Sequence, residues 1–537
     1  MVSVTLPRLR RKNPVAAVPK VLAGYRPLTD EKVDARRRRR LLALLFFVTF
    51  LYSFIYLLMP RALNVLLSFP IVILYLMVIW ALPVTDYYPR KWLNFCFWSY
   101  FIALLLWPNY LAIGITGLPW ITVVRLFGAP MVILMMVYSS SSAQFRKKMS
   151  DILSQSRTIV RLVVAFAAIQ LISVAFAASP FDAIYKAINN QIAWTAIFFC
   201  SVWVFSRPRG VEFWLRLYII MATILCGIAI AEARHGGVLW ANSIPSFLKI
   251  DDESVERILG GAYRLGSKYR VVATATTPLS LAELLGATSP LLLFALTQYR
   301  NLFVKIGLIA LDVSLVYCIL LTDSRLGLIA MIVGHVAYAA YYSVRQHKFG
   351  KNSLLSTSLL MLYPAAVALL IAAVLLVGRI NNAVIGDGRQ SFSDQARAAQ
   401  ISDGLVEIWF SPIFGFGPGQ GAARLNYTNA AGTLTIDSYY LSILLDYGFV
   451  GFFVFYGLFI ATIVKGFKTA LLGTEKVHHL SATISIFLVC FLTTKAVLSQ
   501  EANHSLIFMG LGAVVALSYA ARRESAGDGQ LSNKITT

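Results

Sequence analysis

Charge is scarce in this sequence: Asp, Glu, Lys and Arg together make up 14% of 537 residues, against about a quarter in ordinary globular chains. So few charges cannot cover three or four soluble domains. With 58% hydrophobic residues and a mean hydropathy of +0.69, the chain is suited to a bilayer. Acidic residues are the scarcest charges, 25 Asp+Glu against 48 Lys+Arg, for a net charge of +23. In a soluble protein that excess would point to nucleic acid; in a membrane protein it reports which loops stay inside. Cysteine is rare too. Cys96, Cys200, Cys226, Cys318 and Cys490 each lie singly in an apolar run, which leaves no readable disulfide framework or zinc site. There is no H-E-x-x-H, no D-x-D and no His pair at helical spacing to hold a catalytic metal.

What is abundant is long apolar runs. A membrane-spanning helix needs about 20 mainly apolar residues. Runs of that size begin at Leu41, Ala62, Leu93, Trp120, Ile159, Ile192, Phe213, Leu279, Ile306, Leu326, Leu354, Tyr439, Leu480 and Leu506. They predict an all-α polytopic membrane protein of about 14 spans. The first run follows forty residues of chain and no small-residue cleavage site closes it, so it reads as a span and not as a signal peptide.

Basic residues test the count. Residues 1–40 carry twelve Lys/Arg, including the run Arg36 to Arg40. If that stretch is cytoplasmic, alternate connections should be basic as well. They are: Arg90-Lys91, Arg146-Lys147-Lys148, Arg207 with Arg209, Arg300 with Lys305, Arg345 with Lys348 and Lys351, Lys465 with Lys468 and Lys476, and Arg522-Arg523. The expected organisation is a basic cytoplasmic tail over 1–40, a transmembrane bundle over 41–521 and a second cytoplasmic tail over 522–537. Two long loops, about 232–278 and 378–437, then lie outside.

Connections that long in a compact protein are functional or disordered, and these are not low-complexity. In the second, Ile401, Leu405 and Ile408 recur at i, i+4 and i+7 ahead of Trp409. That spacing predicts an amphipathic helix, lying either on the membrane surface or as a lid over an external site. The same loops hold Arg257, Arg264, Arg270, Arg379, Arg389, Arg397 and Arg424, on the side where orientation does not call for positive charge. Guanidinium groups grip phosphate with two donors at once; the plain alternative is pairing with Asp251, Asp252, Glu253, Asp387 and Asp394. Arg397 precedes Ile401 by four residues and so extends the apolar stripe toward the bundle, where an unpaired charge is costly. Arg325 sits at the outer junction of two spans, within Thr322-Asp323-Ser324-Arg325, and Glu283 lies about one and a half turns into the span after Pro278. Charges at that depth are rare and default to functional hypotheses. Arg125 reads as a snorkelling side chain and Lys495 as a partner of Glu501. Gly415 to Gly421 is glycine-rich but lacks the Lys-Ser/Thr of a nucleotide loop. It reads as a tight turn whose amides are able to form an anion nest.

The order of these elements resembles the O-antigen ligase and Wzy-type polysaccharide polymerase superfamily. Ser324-Arg325 stands at a span junction, and a long external loop with an Arg-bearing helix follows. Then come Pro412-Ile413-Phe414-Gly415-Phe416-Gly417 and Asp437-Ser438, nine residues, Gly448-Phe449-Val450-Gly451. Ligases of this superfamily carry His-(Asn/Ser/Gln)-x9-Gly-x-x-Gly at the last place. The stretch Arg270 through Pro278 to Pro290 also looks like the segment that enters the span after the family's first large loop. The likeness covers roughly residues 264–451.

The resemblance implies a glycosyltransferase on the periplasmic side of the bacterial cytoplasmic membrane. Its donor and acceptor would be glycans linked to a polyprenyl pyrophosphate, with no cofactor, metal, nucleotide sugar or nucleic acid. A chain-length regulator and a flippase are the candidate protein partners. Where a ligase has His this chain has Asp437, which favours polymerase over ligase. By the resemblance Asp437, Glu283 and Arg397 are catalytic candidates, and Arg264, Arg270, Arg325, Arg389 and Ser438 substrate-binding ones. For Asp437 two readings stay open: a carboxylate that handles the acceptor hydroxyl, or the N-cap of the following helix. Transfer of glycan to lipid A core or protein is the nearer rival function. A lipid-linked oligosaccharide flippase is the more distant one; it is disfavoured because no corresponding halves are visible and the unusual charges gather on one face.

Overall fold

A computed structural model describes residues 31–58, 70, 73–83, 85, 90–114, 120–207, 209–250, 252–263, 269–350, 391–428, 434–497 and 499–535, with single positions between 354 and 378. The spans expected from Ala62 and Leu354 fall largely outside the described residues, as do Arg264, Arg379 and Arg389. The protein is an all-α polytopic membrane protein whose chain divides into two compact units, Met1–Pro83 and Val84–Thr537.

In the first unit a helix runs over Glu31–Leu58. It therefore takes in the arginine run 36–40, which the sequence reading left in the tail; arginine is a good helix former. Leu45, Val78 and Ala81 are buried together, with Leu42 against them.

The second unit holds ten helices, among the described residues, that are long and apolar enough to cross a membrane: Val123–Ser141, Arg157–Phe176, Pro180–Phe205, Gly210–His235, Pro278–Gln298, Leu302–Leu321, Arg325–Phe349, Tyr439–Ala470, Lys476–Lys495 and His504–Glu524. Ten of the fourteen expected runs fall on them. The run from Leu93 forms a helix of 17 residues, Arg90–Leu106. Two small hairpins decorate the loops. One pairs Ala112–Ile113 with Ile121–Thr122, the other Ala262–Tyr263 with Tyr269–Arg270.

Helix starts follow local chemistry. Thr277 caps the Pro278–Gln298 helix by accepting from the Ser280 amide at 3.3 Å, with Pro278 at the first helical position. Asn301 accepts from the Phe303 amide at 2.9 Å. Burial then sorts inner from outer helices. Pro278–Gln298, Lys476–Lys495 and His504–Glu524 are buried over 83%, 83% and 89% of their apolar stretches, whereas Leu302–Leu321 is buried over 17%. The outer face of the latter, with Phe303, Ile309 and Val313 exposed, is a surface for lipid.

With lipid on one side and protein on the other, helix association depends on close packing rather than on expelling water. The contact between Pro278–Gln298 and Arg325–Phe349 shows how the sequence arranges it. A Cβ added at Gly286 would stand 2.5 Å from the Gly327 carbonyl oxygen, and one at Gly327 would stand 2.8 Å from the Ala282 carbonyl. The two backbones touch through these glycines. That contact fixes Glu283, one residue from Ala282, in the centre of the unit.

Candidate functional site

Three local structures converge at the end of the bundle that carries the 391–437 segment. The first is the Ser391–Glu407 helix, which presents Arg397 to the residues entering the Tyr439–Ala470 helix. Arg397 Nε lies 3.8 Å from Asp437 Oδ2, and both side chains are partly accessible, 27% and 36%. Gln400, one turn further along, is buried and accepts the Asp437 amide at 2.9 Å. Gly404 closes the contact by lying against Leu441, where a Cβ would come within 2.5 Å. The face toward the bundle is therefore Arg397, Gln400, Gly404 and the fully buried Ile408. Ile401 and Leu405, expected on that face, are instead 43% and 49% exposed, because close backbone approach at Gly404 rotates the helix. With Val406, Trp409 and Phe410 they form an exposed apolar strip.

The N-cap reading of Asp437 is corrected. Ser438 occupies the N-cap position of the Tyr439–Ala470 helix and its side chain makes no cap hydrogen bond. The Asp437 carboxylate is turned to Arg397 instead.

The second structure is the glycine-rich turn, and it explains the spacing Asp437-Ser438, nine residues, Gly448-x-x-Gly451. Gly448 adopts φ 67° and ψ −171° inside the helix, a conformation open to glycine and strained for other residues. The helix breaks there, and the turn fills the break. Phe416 and Gly417 amides donate to the carbonyls of Leu445 and Asp446 at 2.8 and 3.0 Å, and the Phe449 amide donates to Pro412 O at 2.8 Å. The anion nest expected in the turn exists, but its anion is internal: Gly419 and Gly421 amides donate to the two carboxylate oxygens of buried Asp446, each at 2.8 Å. Gly448→Ala should therefore lower the amount of folded protein, since strain of about 1–3 kcal/mol adds to a collision with the Ile413 carbonyl. Gly457→Ala, with open space around its Cβ position, is the matched control. Thermal unfolding of the two variants in detergent checks the difference.

The third structure is a buried polar network under the site. Glu283 is fully buried and accepts from Thr494 Oγ1 at 2.7 Å, Asn503 Nδ2 at 2.8 Å and Lys495 Nζ at 2.9 Å. Lys495 also donates to Gln500 O at 2.9 Å and stands 5.5 Å from the ring centre of Tyr439. The expected Lys495–Glu501 pair is thus not formed; Glu501 pairs with Lys186 and accepts from the Tyr439 hydroxyl at 3.4 Å. Glu283, the catalytic candidate of the sequence, thus lies inside this network. Its charge offsets that of Lys495, which would be costly to bury alone. His504 lies against Tyr439, ring centres 4.7 Å apart, and Trp194, 5.1 Å.

The remaining arginines divide. Arg270 sits on the hairpin strand and donates through Nε to Thr322 O at 2.9 Å, at the junction that carries Arg325. The loop is held there by buried Glu232, which takes the amides of Val272 and Ala273 at 2.9 and 2.6 Å and the Tyr269 hydroxyl. From this anchor the chain runs to Thr277, whose hydroxyl donates to Gln500 beside the buried network. Arg325 is half-buried and, among the described residues, makes no hydrogen bond or ion pair. Arg257 pairs with Glu253 at 2.6 Å and Arg424 with Glu407 at 2.7 Å, so both have the plain structural partner. The Asp403 carboxylate accepts from Tyr427 at 2.6 Å and holds that hydroxyl above its usual range.

Sequence reasoning missed Lys186, Glu501 as its partner, and Glu232. Lys186 carried a signal: like the arginines, it is a positive charge outside the expected inner loops. Glu232 carried none, as a single acid near a span end is common.

The arrangement offers a guanidinium, Arg397, beside a partly open carboxylate at one end of an apolar bundle, a setting for an anionic, lipid-anchored substrate. No curated protein matches the chain. Residues 310–456 match a family model described as O-antigen ligase, a segment that contains Arg325, Arg397, the glycine-rich turn, Asp437 and the Gly448 break, so over that stretch the chain is similar to the family the sequence resembles.

Proposed function

We propose that this protein is a polysaccharide polymerase with its site on the periplasmic face of the bacterial cytoplasmic membrane and both termini in the cytoplasm. It moves a growing glycan from a polyprenyl-pyrophosphate carrier to the non-reducing end of a second lipid-linked repeat unit. The family match supports glycan transfer in O-antigen or polysaccharide biosynthesis. The observation that carries the reading is the Arg397–Asp437 pair, 3.8 Å between Nε and Oδ2, partly open and inside the matched segment.

The chemistry needs little beyond such a pair. The acceptor hydroxyl oxygen attacks the anomeric carbon and loses its proton to Asp437, while the bond from that carbon to the pyrophosphate oxygen breaks. Negative charge then builds on the leaving pyrophosphate, where a fixed guanidinium stabilises it, an effect often worth 10²-fold or more per donor. Arg325 and Arg270 lie within reach of one junction and would hold lipid phosphate, with Ser438 beside the acceptor. Arg264 and Arg389 would extend that grip. The lipid pyrophosphate is already an activated donor, so neither nucleotide sugar nor metal is required. A flippase that delivers repeat units and a regulator of chain length are the partners this reaction calls for.

Ligation to a lipid A core or protein is the second reading, favoured by the family description itself. Glycolipids of cells lacking the protein separate the two. Single repeat units accumulating on carrier lipid is the expected result. Long chains retained on carrier lipid would establish ligase instead, and repeat units held on the cytoplasmic face would establish a flippase.

A further inference from the structure

The Arg157–Phe176 helix has two chemically different ends. Phe176 stacks on Phe414 of the glycine-rich turn, ring centres 5.6 Å apart, and so marks the end that carries the candidate site. The Arg157 end, about 30 Å away by helix rise, borders a cavity of about 460 Å³ between that helix, the Ala143–Ser154 helix and the end of Val123–Ser141. Three arginines line it, Arg146, Arg157 and Arg161, over a floor that includes Phe145, Met149 and Leu153.

Among the described residues, no carboxylate lines this cavity. Arg157 and Arg161 are one helical turn apart, where like charges repel, and among the described residues neither makes a hydrogen bond or ion pair. Arg146 donates to the carbonyls of Ser139 and Ser140, at 3.0 and 2.7 Å, which directs it to the same cavity as the other two. Lys147 and Lys148 on the same short helix add to the positive field, and Asp151, the acid on that helix, is exposed outside the lining. The three arginines are exposed, so each alone is satisfied by water, but gathered at one cavity they favour an anion, and the accessible apolar lining at Leu153 and Val160 suits the start of an acyl chain. Basic pockets between spans at the membrane edge bind anionic headgroups for this reason.

We infer that this cavity binds an anionic glycerophospholipid, its phosphate between Arg146, Arg157 and Arg161 and the start of an acyl chain on Leu153 and Val160. The lipid belongs to the leaflet opposite the candidate site; that this leaflet is the cytoplasmic one rests on the topology proposed above, whereas the binding itself does not.

Native mass spectrometry of the full-length protein, titrated with phosphatidylglycerol or phosphatidylcholine in detergent, tests it. Wild type should retain phosphatidylglycerol preferentially. Arg157→Gln/Arg161→Gln should bind it about thirtyfold more weakly, given the usual strength of one basic residue near an anionic surface. Arg300→Gln, an exposed arginine elsewhere in the chain, should leave binding unchanged. Equal retention by the double variant, or equal retention of the two lipids, would overturn the assignment. So would displacement of the lipid by inorganic phosphate at the lipid's own concentration, which would make the ligand a soluble anion. A photoactivatable phosphatidylglycerol gives a reading that needs no variant: cross-links must fall within residues 139–161, and cross-links confined to other spans would end the proposal.

Discussion

Arg397→Lys should cut polymer synthesis on the order of 10²-fold while the protein still accumulates in the membrane. Lysine keeps the positive charge but loses the planar fork that can hold two phosphate oxygens at once. If Arg397 only steadied Asp437, a point charge would serve nearly as well. A partly exposed pair at 3.8 Å contributes under about 1 kcal/mol to folding, so the variant should unfold within a few degrees of wild type. Chain-length distribution on gels, normalised to folded protein, is the measurement. A normal distribution in Arg397→Lys would remove the guanidinium from the reaction and leave it a role in holding the Ser391–Glu407 helix.

The bundle was legible in the sequence because a bilayer makes apolar run length a nearly sufficient signal. Ten of the expected runs fall on helices able to span, including those near Trp120 and Ile192. The site was legible only in its residue types. Arg397 was found through its place on a helix, yet the stripe drawn through Ile401 and Leu405 was the wrong one. Hydrophobic spacing cannot register Gly404, which has no side chain and sets the contact by allowing Leu441 to approach. Lys495 was paired with Glu501 because the two are close in sequence. The actual partner, Glu283, comes from another helix, brought there by the crossing at Gly286 and Gly327. The glycine-rich turn shows the same limit. Its amides were read as available to a ligand, but the carboxylate that fills them is Asp446, 25 residues beyond Gly421 in the chain.

Asp437→Asn should reduce polymer yield per folded molecule on the order of 10²-fold, the cost of losing a proton acceptor or hydroxyl-orienting carboxylate. Capping cannot account for such a loss, because Ser438 holds the N-cap position. The backbone at Asp437 is fixed independently by Gln400, so the substitution changes charge with little change of position. One structural route remains: Asn would also release Arg397. The double variant separates the two. If Asp437 acts only through Arg397, then Asp437→Asn combined with Arg397→Lys should be no worse than the poorer single variant; independent roles should multiply the losses. We expect multiplication, since in the proposed reaction one group serves the acceptor hydroxyl and the other the leaving pyrophosphate. Asp437→His restores the ligase-type residue at the matched position and, by offering a base without the negative charge, should recover part of the rate lost in the Asn variant. Wild-type chain length in Asp437→Asn would take the carboxylate out of the chemistry. It would move attention to Glu283 and His504, both buried in this structure.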